Sequence, residues 1–182
     1  MPSILTHPAV PLGIALACGT RLVSPRLLVA GVAASILPDL DVIGLRFGIA
    51  YHDAFGHRGF SHSIAFATAL ALCAFWASRS LQSEPRAAAL FMFVAAVSHP
   101  LLDMFTTGGM GVALFWPLTE ARLVGPWRVI EVSPLSIAQF LGEAGVRVLK
   151  SELVWVWLPI LSVAIAVWQL RLRHGQSLSA GQ

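Results

Sequence analysis

Five apolar runs account for much of the chain, and they constrain its fold more than any other feature. They cover residues 8–19, 27–37, 64–77, 87–104 and 153–170. The last two approach the roughly 20 residues that a membrane-spanning helix needs, and the others reach that length once polar residues at one end are included. Charged residues make up only 12% of the 182 positions, against about 25% in soluble domains. The sequence therefore predicts an all-α, polytopic membrane bundle of about five helices.

The composition excludes several other classes of protein. Apolar residues make up 57% of the chain and the net charge is +3. A soluble domain of this size could not cover so much apolar surface, and the hydrophobicity is too high for disorder. Cys18 and Cys73 lie in apolar runs, which predicts buried free thiols rather than a disulfide. The few arginines suit helix ends, so no nucleic-acid partner is expected.

We expect one integral membrane domain over residues 1–182. Residues 1–120 form its core, 121–152 an extramembrane connection, 153–171 the last membrane helix and 172–182 a polar, frayed tail. In the connection, residues 123–132 could form a small hairpin. Ser133 and Pro134 would then begin an amphipathic helix that lies along the membrane interface as far as about Lys150.

Proline and serine mark the predicted beginnings of three helices. Ser24 before Pro25 fits the N-cap and first position of the second helix. Pro85 opens the fourth helix, and Ser61 is the predicted N-cap of the third.

Polar residues stand at four ends of the apolar runs. If the helices alternate in direction, these four ends share one membrane face. Ionisable groups at membrane depth are costly and indicate a functional site. The candidate metal ligands are His7, Asp39, Asp41, His57, His62, His99 and Asp103.

The spacing of these residues suits cation binding. His99 and Asp103 are four residues apart, so both side chains share one helix face. Asp39 and Asp41 follow Pro38 on a rigid turn, where they could bridge two metals or act as ligand and general base. Imidazole and carboxylate without thiolate favour zinc, with manganese or iron as alternatives. Seven ligands exceed the four of one zinc site, which predicts more than one ion or one ion with catalytic groups.

Residues near this group have two interpretations each. Arg58 is either a structural arginine or the group that binds an anionic substrate oxygen. His52 and Asp53 are expected on the solvated surface.

Several short segments of residues 1–120 resemble the bacterial inner-membrane metal-dependent hydrolase family, described as LexA-regulated. They are Thr6-His7, Leu37-Pro38-Asp39-Leu40-Asp41, His57-Arg58-Gly59-Phe60-Ser61-His62-Ser63, Ser98-His99-Pro100-Leu101-Leu102-Asp103, Thr106, Gly108 and Phe115-Trp116-Pro117. That family is distantly similar to zinc-dependent phospholipase C and the single-strand-specific zinc nucleases.

The resemblance implies a helical enzyme with a metal cluster. It implies that His99 and Asp103 are the helical ligand pair, that Asp39 or Asp41 bridges metals or acts as base, and that His57 or His62 completes the set. It supplies no substrate. Pro100 departs from the pattern, which has an aliphatic residue there.

Together these observations predict a membrane-bound metal-dependent hydrolase of a phosphoester or lipid-like substrate. Metal-activated water would attack, Asp41 would take the proton and Arg58 would hold negative charge. The alternative is a non-enzymatic metal-binding or metal-transport protein. A transport route places ligands at several depths, whereas these gather at one face.

The connections on the opposite face carry arginines with one acid, Glu84. This pattern predicts a cytoplasmic C-terminus and an outward site, and the family resemblance implies the bacterial inner membrane. The expected partners are membrane lipid and an amphipathic, phosphate-containing substrate.

Overall fold

The computed structural model describes residues 1–134 and 136–179, and its regular structure is helical. A 3₁₀ helix over Leu37–Phe47 continues the helix Pro25–Ile36, and another over Phe60–His62 precedes the helix Ile64–Trp76. A π-helical turn over Leu153–Trp157 joins the helix Glu143–Glu152 to the helix Leu158–Ser179. No strand occurs in the described ranges, so the all-α prediction is confirmed. The helices are α1 (Ala9–Cys18), α2 (Pro25–Ile36), α3 (Ile64–Trp76), α4 (Pro85–Met104), α5 (Ile137–Phe140), α6 (Glu143–Glu152) and α7 (Leu158–Ser179).

Five of the helical stretches correspond to the predicted apolar runs. Those over Pro25–Phe47, Pro85–Met104 and Glu143–His174 are long and apolar enough to cross a membrane, and Ala9–Cys18 and Ile64–Trp76 are shorter apolar helices. The last helix differs from expectation at both ends. The continuous helix begins at Glu143, ten residues before the predicted start at residue 153, because α6 runs into α7 without a break. It extends to Ser179, through residues predicted to be a frayed tail. Residues 180–182 of that predicted tail lie outside the described part.

The bundle is held together by small residues at the helix contacts. α4 packs against both α2 and α3, and α1 packs against α7. Ala34, Ala67 and Ala96 are buried in the core that α4 shares with its neighbours. A Cβ atom at Gly31 would overlap the ring of Phe91. Such close approach is the usual basis of helix association in membranes, where lipid removes the hydrophobic driving force.

The helix starts follow the predicted pattern in two of three cases. Ser24 accepts a hydrogen bond from the backbone N–H of Leu27, and Glu84 caps α4 at Pro85. The prediction for Ser61 is wrong. Ser63 caps α3 instead, because the 3₁₀ turn occupies Phe60–His62 and delays the start of the helix.

The connection between α4 and the last helix differs from the sequence prediction. Residues 123–132 form no hairpin of their own. Leu123 pairs with Val112, and Ile130 pairs with Thr106, so both ends of the segment pair with the loop that follows α4.

The predicted interfacial helix is also different. It begins at Ile137 after Ser136, rather than at Ser133, and the extended backbone of Gly142 divides it into α5 and α6. Cys18 and Cys73 are free, as predicted, but the prediction that they are buried is wrong: Cys18 is half-buried and Cys73 is exposed on the outer surface of α3.

Candidate metal centre

Five buried ionisable side chains from four parts of the chain meet at one end of the bundle, and we call them the central cluster. The cluster residues are at most 4% exposed. His7 precedes α1, Asp39 lies in the 3₁₀ helix after α2, His62 ends the short turn before α3, and His99 and Asp103 lie on one face of α4. Pro100 is accommodated inside α4. The alternating helices thus bring these four ends together.

One half of the central cluster is formed around two imidazoles. The Nε2 atoms of His62 and His99 are 3.0 Å apart. Oδ1 of Asp39 lies 3.3 Å from Nε2 of His99, and Oδ2 of Asp103 lies 3.4 Å from Nε2 of His62. These four residues each offer one ligand atom, and the four atoms lie within 4.8 Å of one another.

The other half is formed around His7. Its ring stacks on that of His99 with 3.7 Å between centroids. Nε2 of His7 lies 3.5 Å from Oδ2 of Asp39 and 4.0 Å from Oδ1 of Asp103. Each carboxylate therefore turns one oxygen toward the His62 and His99 pair and the other toward His7.

Most of the polar atoms in the central cluster lack a hydrogen-bond partner among the described residues. Both ring nitrogens of His7 and all four carboxylate oxygens of Asp39 and Asp103 are buried without a hydrogen bond to any described residue. Burying polar groups without partners costs free energy. Atoms of this kind converging on one point fit a bound cation.

Two histidines are oriented by acceptors outside the central cluster. Nδ1 of His99 lies 2.7 Å from the carbonyl oxygen of Ser35, which can only accept, so Nδ1 carries the proton. Nδ1 of His62 lies 3.1 Å from Oδ2 of Asp41. In both rings Nε2 is left to face the cluster, and this arrangement is typical of metal-bound imidazole.

Asp41 and His57 lie behind His62, at the edge of the central cluster. Oδ1 of Asp41 is 2.5 Å from Nδ1 of His57. Its Oδ2 accepts hydrogen bonds from the Ser61 hydroxyl at 2.7 Å and from the backbone N–H of Arg58 at 3.1 Å. The structure thus connects all seven predicted ligands, but both oxygens of Asp41 already have donors.

Arg58 is buried beside the central cluster, in a left-handed backbone conformation with φ of 63°. Its Nε atom lies 2.9 Å from Oδ2 of Asp103. Nη2 donates to the Thr106 hydroxyl at 3.1 Å, and Nη1 to the carbonyl of Gly108 at 3.3 Å. The guanidinium balances part of the cluster's negative charge. His52 and Asp53 are exposed, as expected.

Two histidines that precede the apolar helices have strongly shifted pKa values. Burial lowers the pKa of His62, but the adjacent carboxylates of Asp103 and Asp41 outweigh it and raise the pKa to about 9. Burial and the neighbouring His99 lower the pKa of His7 to about 3. His7 is therefore neutral, as a metal ligand must be, and the field at His62 attracts positive charge.

A buried carboxylate that sequence reasoning missed holds the N-terminal segment in place. Glu152, at the end of α6, is 1% exposed and accepts hydrogen bonds from the backbone N–H and, at 2.7 Å, the hydroxyl of Ser3. The Glu152 carboxylate also accepts a hydrogen bond from the Thr6 hydroxyl at 2.9 Å. The Thr6 hydroxyl oxygen in turn accepts a hydrogen bond from the Trp157 indole N–H at 3.0 Å. This clamp fixes the residue before His7. The signal in the sequence is an acid directly before the last apolar run.

Comparisons with known proteins place the chain among inner membrane proteins. The family model described as YdjM inner membrane protein matches residues 1–175. The chain belongs to the YdjM inner membrane protein family. It is also similar to the inner membrane protein YbcI of Escherichia coli (strain K12), with 44% identity over 172 residues, 94% of this chain and 99% of that protein. No solved structure matches. The family and the apolar helices confirm membrane residence.

Proposed function

We propose that this member of the YdjM family is a membrane-bound metal-dependent hydrolase that acts on a phosphoester. The observation that carries the proposal is the set of six buried nitrogen and oxygen atoms of His7, Asp39 and Asp103 that have no hydrogen-bond partner in the described part of the chain. Arg58 balances the charge of Asp103, but a purely structural role leaves the burial of His7 and Asp39 without compensation.

The ligand atoms support two adjacent ion positions. His62 and His99 would hold one ion with Oδ1 of Asp39 and Oδ2 of Asp103, and His7 would hold the second with the other two carboxylate oxygens. Histidine and aspartate without cysteine favour zinc, with manganese and iron as alternatives. When bound, such ions supply Lewis-acid polarisation of a phosphoryl oxygen and lower the pKa of a water toward ~7.

Some side chains of the site would bind the metal ions, and others would orient the side chains that bind them. Asp39 is the better ligand of the two aspartates after α2, because neither of its oxygens accepts a hydrogen bond from the described residues. Asp41 and His57 would orient His62 rather than bind, since Asp41 accepts from several donors. Arg58 would balance the charge of Asp103 and keep that carboxylate in position.

The surface at the site end supports an amphipathic substrate. Phe47, Leu118 and Trp127 are 80%, 90% and 73% exposed outside the bundle core. Large apolar side chains of this kind favour contact with lipid. Membrane lipid would then be both the surroundings and the source of the substrate. The arginines of the opposite connections support a cytoplasmic C-terminus and an outward-facing site.

Metal transport is the second candidate, and the placement of the ligands argues against it. Transport sites lie near the membrane midplane with groups at several depths. The central cluster instead takes all its residues from helix ends at one face. The only helix that contributes two ligands, α4, supplies them from its last six residues.

Metal content and hydrolysis measured on the same samples test the proposal. We expect purified protein in lipid nanodiscs to bind zinc and to hydrolyse a bis-aryl phosphodiester. His99→Ala and Asp103→Ala should lose both properties, whereas His52→Ala, at an exposed histidine, should keep both. Tight zinc binding without turnover of any phosphoester would contradict the hydrolase and favour the transport candidate.

A further inference from the structure

A small cleft of about 160 Å³ opens beside the central cluster. It gives the buried Arg58 and His57 side chains a shared open face. The function proposed above assigns nothing to it. Its lining residues are Met1, Tyr51, His57, Arg58, Gly109, Val132 and Ser133.

Arg58 reaches the cleft with part of its hydrogen-bonding capacity free. The guanidinium carries five N–H groups. Nη1 donates to Gly108 and Nη2 donates to Thr106, whereas Nε forms an ion pair with Asp103 but no hydrogen bond among the described residues. One N–H remains on each terminal nitrogen. A guanidinium presenting two N–H groups matches the oxygens of a phosphate.

Gly109 keeps the space over these groups open. It has a φ of 88°, and a Cβ atom at this position would overlap Nη1 of Arg58 and lie 3.3 Å from the Tyr51 hydroxyl. Any other residue would therefore fill the cleft at the point where the guanidinium and the hydroxyl meet.

Tyr51 supplies a second donor on a fixed wall. Its ring packs edge to face against His57, with 5.1 Å between centroids. Arg122 donates to the carbonyls of both residues, at 3.0 Å to His57 and 3.1 Å to Tyr51, and so holds the loop in place. Burial raises the pKa of Tyr51, so its hydroxyl stays protonated and able to donate.

We infer that this cleft is an oxyanion site for the phosphate group of a phosphoester, with Arg58 and Tyr51 as donors and Gly109 as the residue that keeps it open. The identification of that phosphate as substrate rests on the proposed hydrolase function, whereas the binding site does not. A cleft of this size takes a phosphate and a few further atoms. Acyl chains would remain outside, against the apolar side of Val132.

Binding of inorganic phosphate to the zinc-loaded protein in nanodiscs, followed by calorimetry, tests the inference. Gly109→Ala should weaken phosphate binding at least tenfold and leave zinc content unchanged. Gly48→Ala is the matched control, because Gly48 has a similar φ of 81° and a Cβ atom there would meet nothing within 4 Å; it should bind phosphate as the wild type does. Tyr51→Phe should weaken binding several-fold without any backbone strain.

Each result bears on one claim. The oxyanion site would be overturned if Tyr51→Phe and Gly109→Ala both bind phosphate with wild-type affinity. If Gly109→Ala does not fold, wild-type affinity in Tyr51→Phe alone would overturn it. Undetectable phosphate binding to zinc-loaded wild type would also overturn it. Phosphate binding without hydrolysis would contradict only the proposed function. Competition by a short-chain phosphatidylglycerol would identify a lipid phosphate, and competition by glycerol phosphate alone a soluble ester.

Discussion

The Nε2 atoms of His62 and His99 lie 3.0 Å apart, while the Nδ1 atom of each ring is held by an acceptor, Asp41 or the Ser35 carbonyl. With Nδ1 protonated in both rings, two lone pairs would face each other across this distance. A positive charge must therefore lie between them. The raised pKa of His62 favours a proton in this position, and a metal ion would replace it.

Metal binding should release this proton. The pKa of His62 is raised from 6.5 to about 9, so the ring is protonated at neutral pH, and a metal must displace the proton. We expect about one proton released from His62 at pH 7 and a zinc affinity that rises as pH approaches 9. Calorimetry in buffers of different ionisation enthalpy measures this. Zinc binding with no proton release would contradict the assignment of His62 as ligand.

His7→Ala should halve the number of bound ions. His7 faces one oxygen of each cluster carboxylate, and its own nitrogens have no hydrogen-bond partner in the described structure. Its removal should empty the second position and leave the first occupied. Elemental analysis of zinc per chain provides the measurement, with His52→Ala as control. An unchanged ratio would show that His7 holds no ion.

Asp39→Asn and Asp41→Asn should differ in severity. Asp39 has no donors and is a proposed ligand, so its amide variant should lose zinc binding. Asp41 orients His62 from outside the cluster, and changes to such residues weaken metal affinity by about 10–100-fold. Competition against a zinc chelator separates the two cases. Equal loss in both variants would make Asp41 a ligand as well.

Glu152→Ala should lower both thermal stability and zinc affinity. The substitution leaves the buried donors of Ser3 and Thr6 without an acceptor, at a cost of about 1–3 kcal/mol for each unsatisfied group. It also frees the residue before His7. Glu143→Ala, at the exposed first turn of the same helix, is the control. Thermal melting and zinc titration should show a loss only for Glu152→Ala, and equal behaviour of the two variants would exclude the clamp.

The sequence identifies the bundle and the residues of the central cluster, for a physical reason. Apolar runs are long-range signals, and polar residues such as His99 and Asp103 stand out within them. Alternating helix direction then brings distant ends to one face. Neither signal depends on the conformation of the loops.

The division of roles within the site depends on details that spacing does not encode. Asp39 and Asp41 look equivalent in sequence, and only the 3₁₀ geometry turns one into the central cluster and the other toward Ser61. Pairing of residues 123 and 130 with the loop after α4 is a long-range contact, so local turn signals wrongly favoured a hairpin. Arg58 is engaged by Asp103, which a count of charges cannot predict.

The most direct test of the account is to locate zinc in the protein itself. Anomalous scattering at the zinc edge, from crystals of zinc-loaded protein, would place the ions without reference to activity. We predict one peak bound by Nε2 of His62 and His99 with oxygens of Asp39 and Asp103, and a second beside His7. No peak in this cluster, with zinc bound elsewhere or absent, would contradict the assignment of these residues as a metal centre.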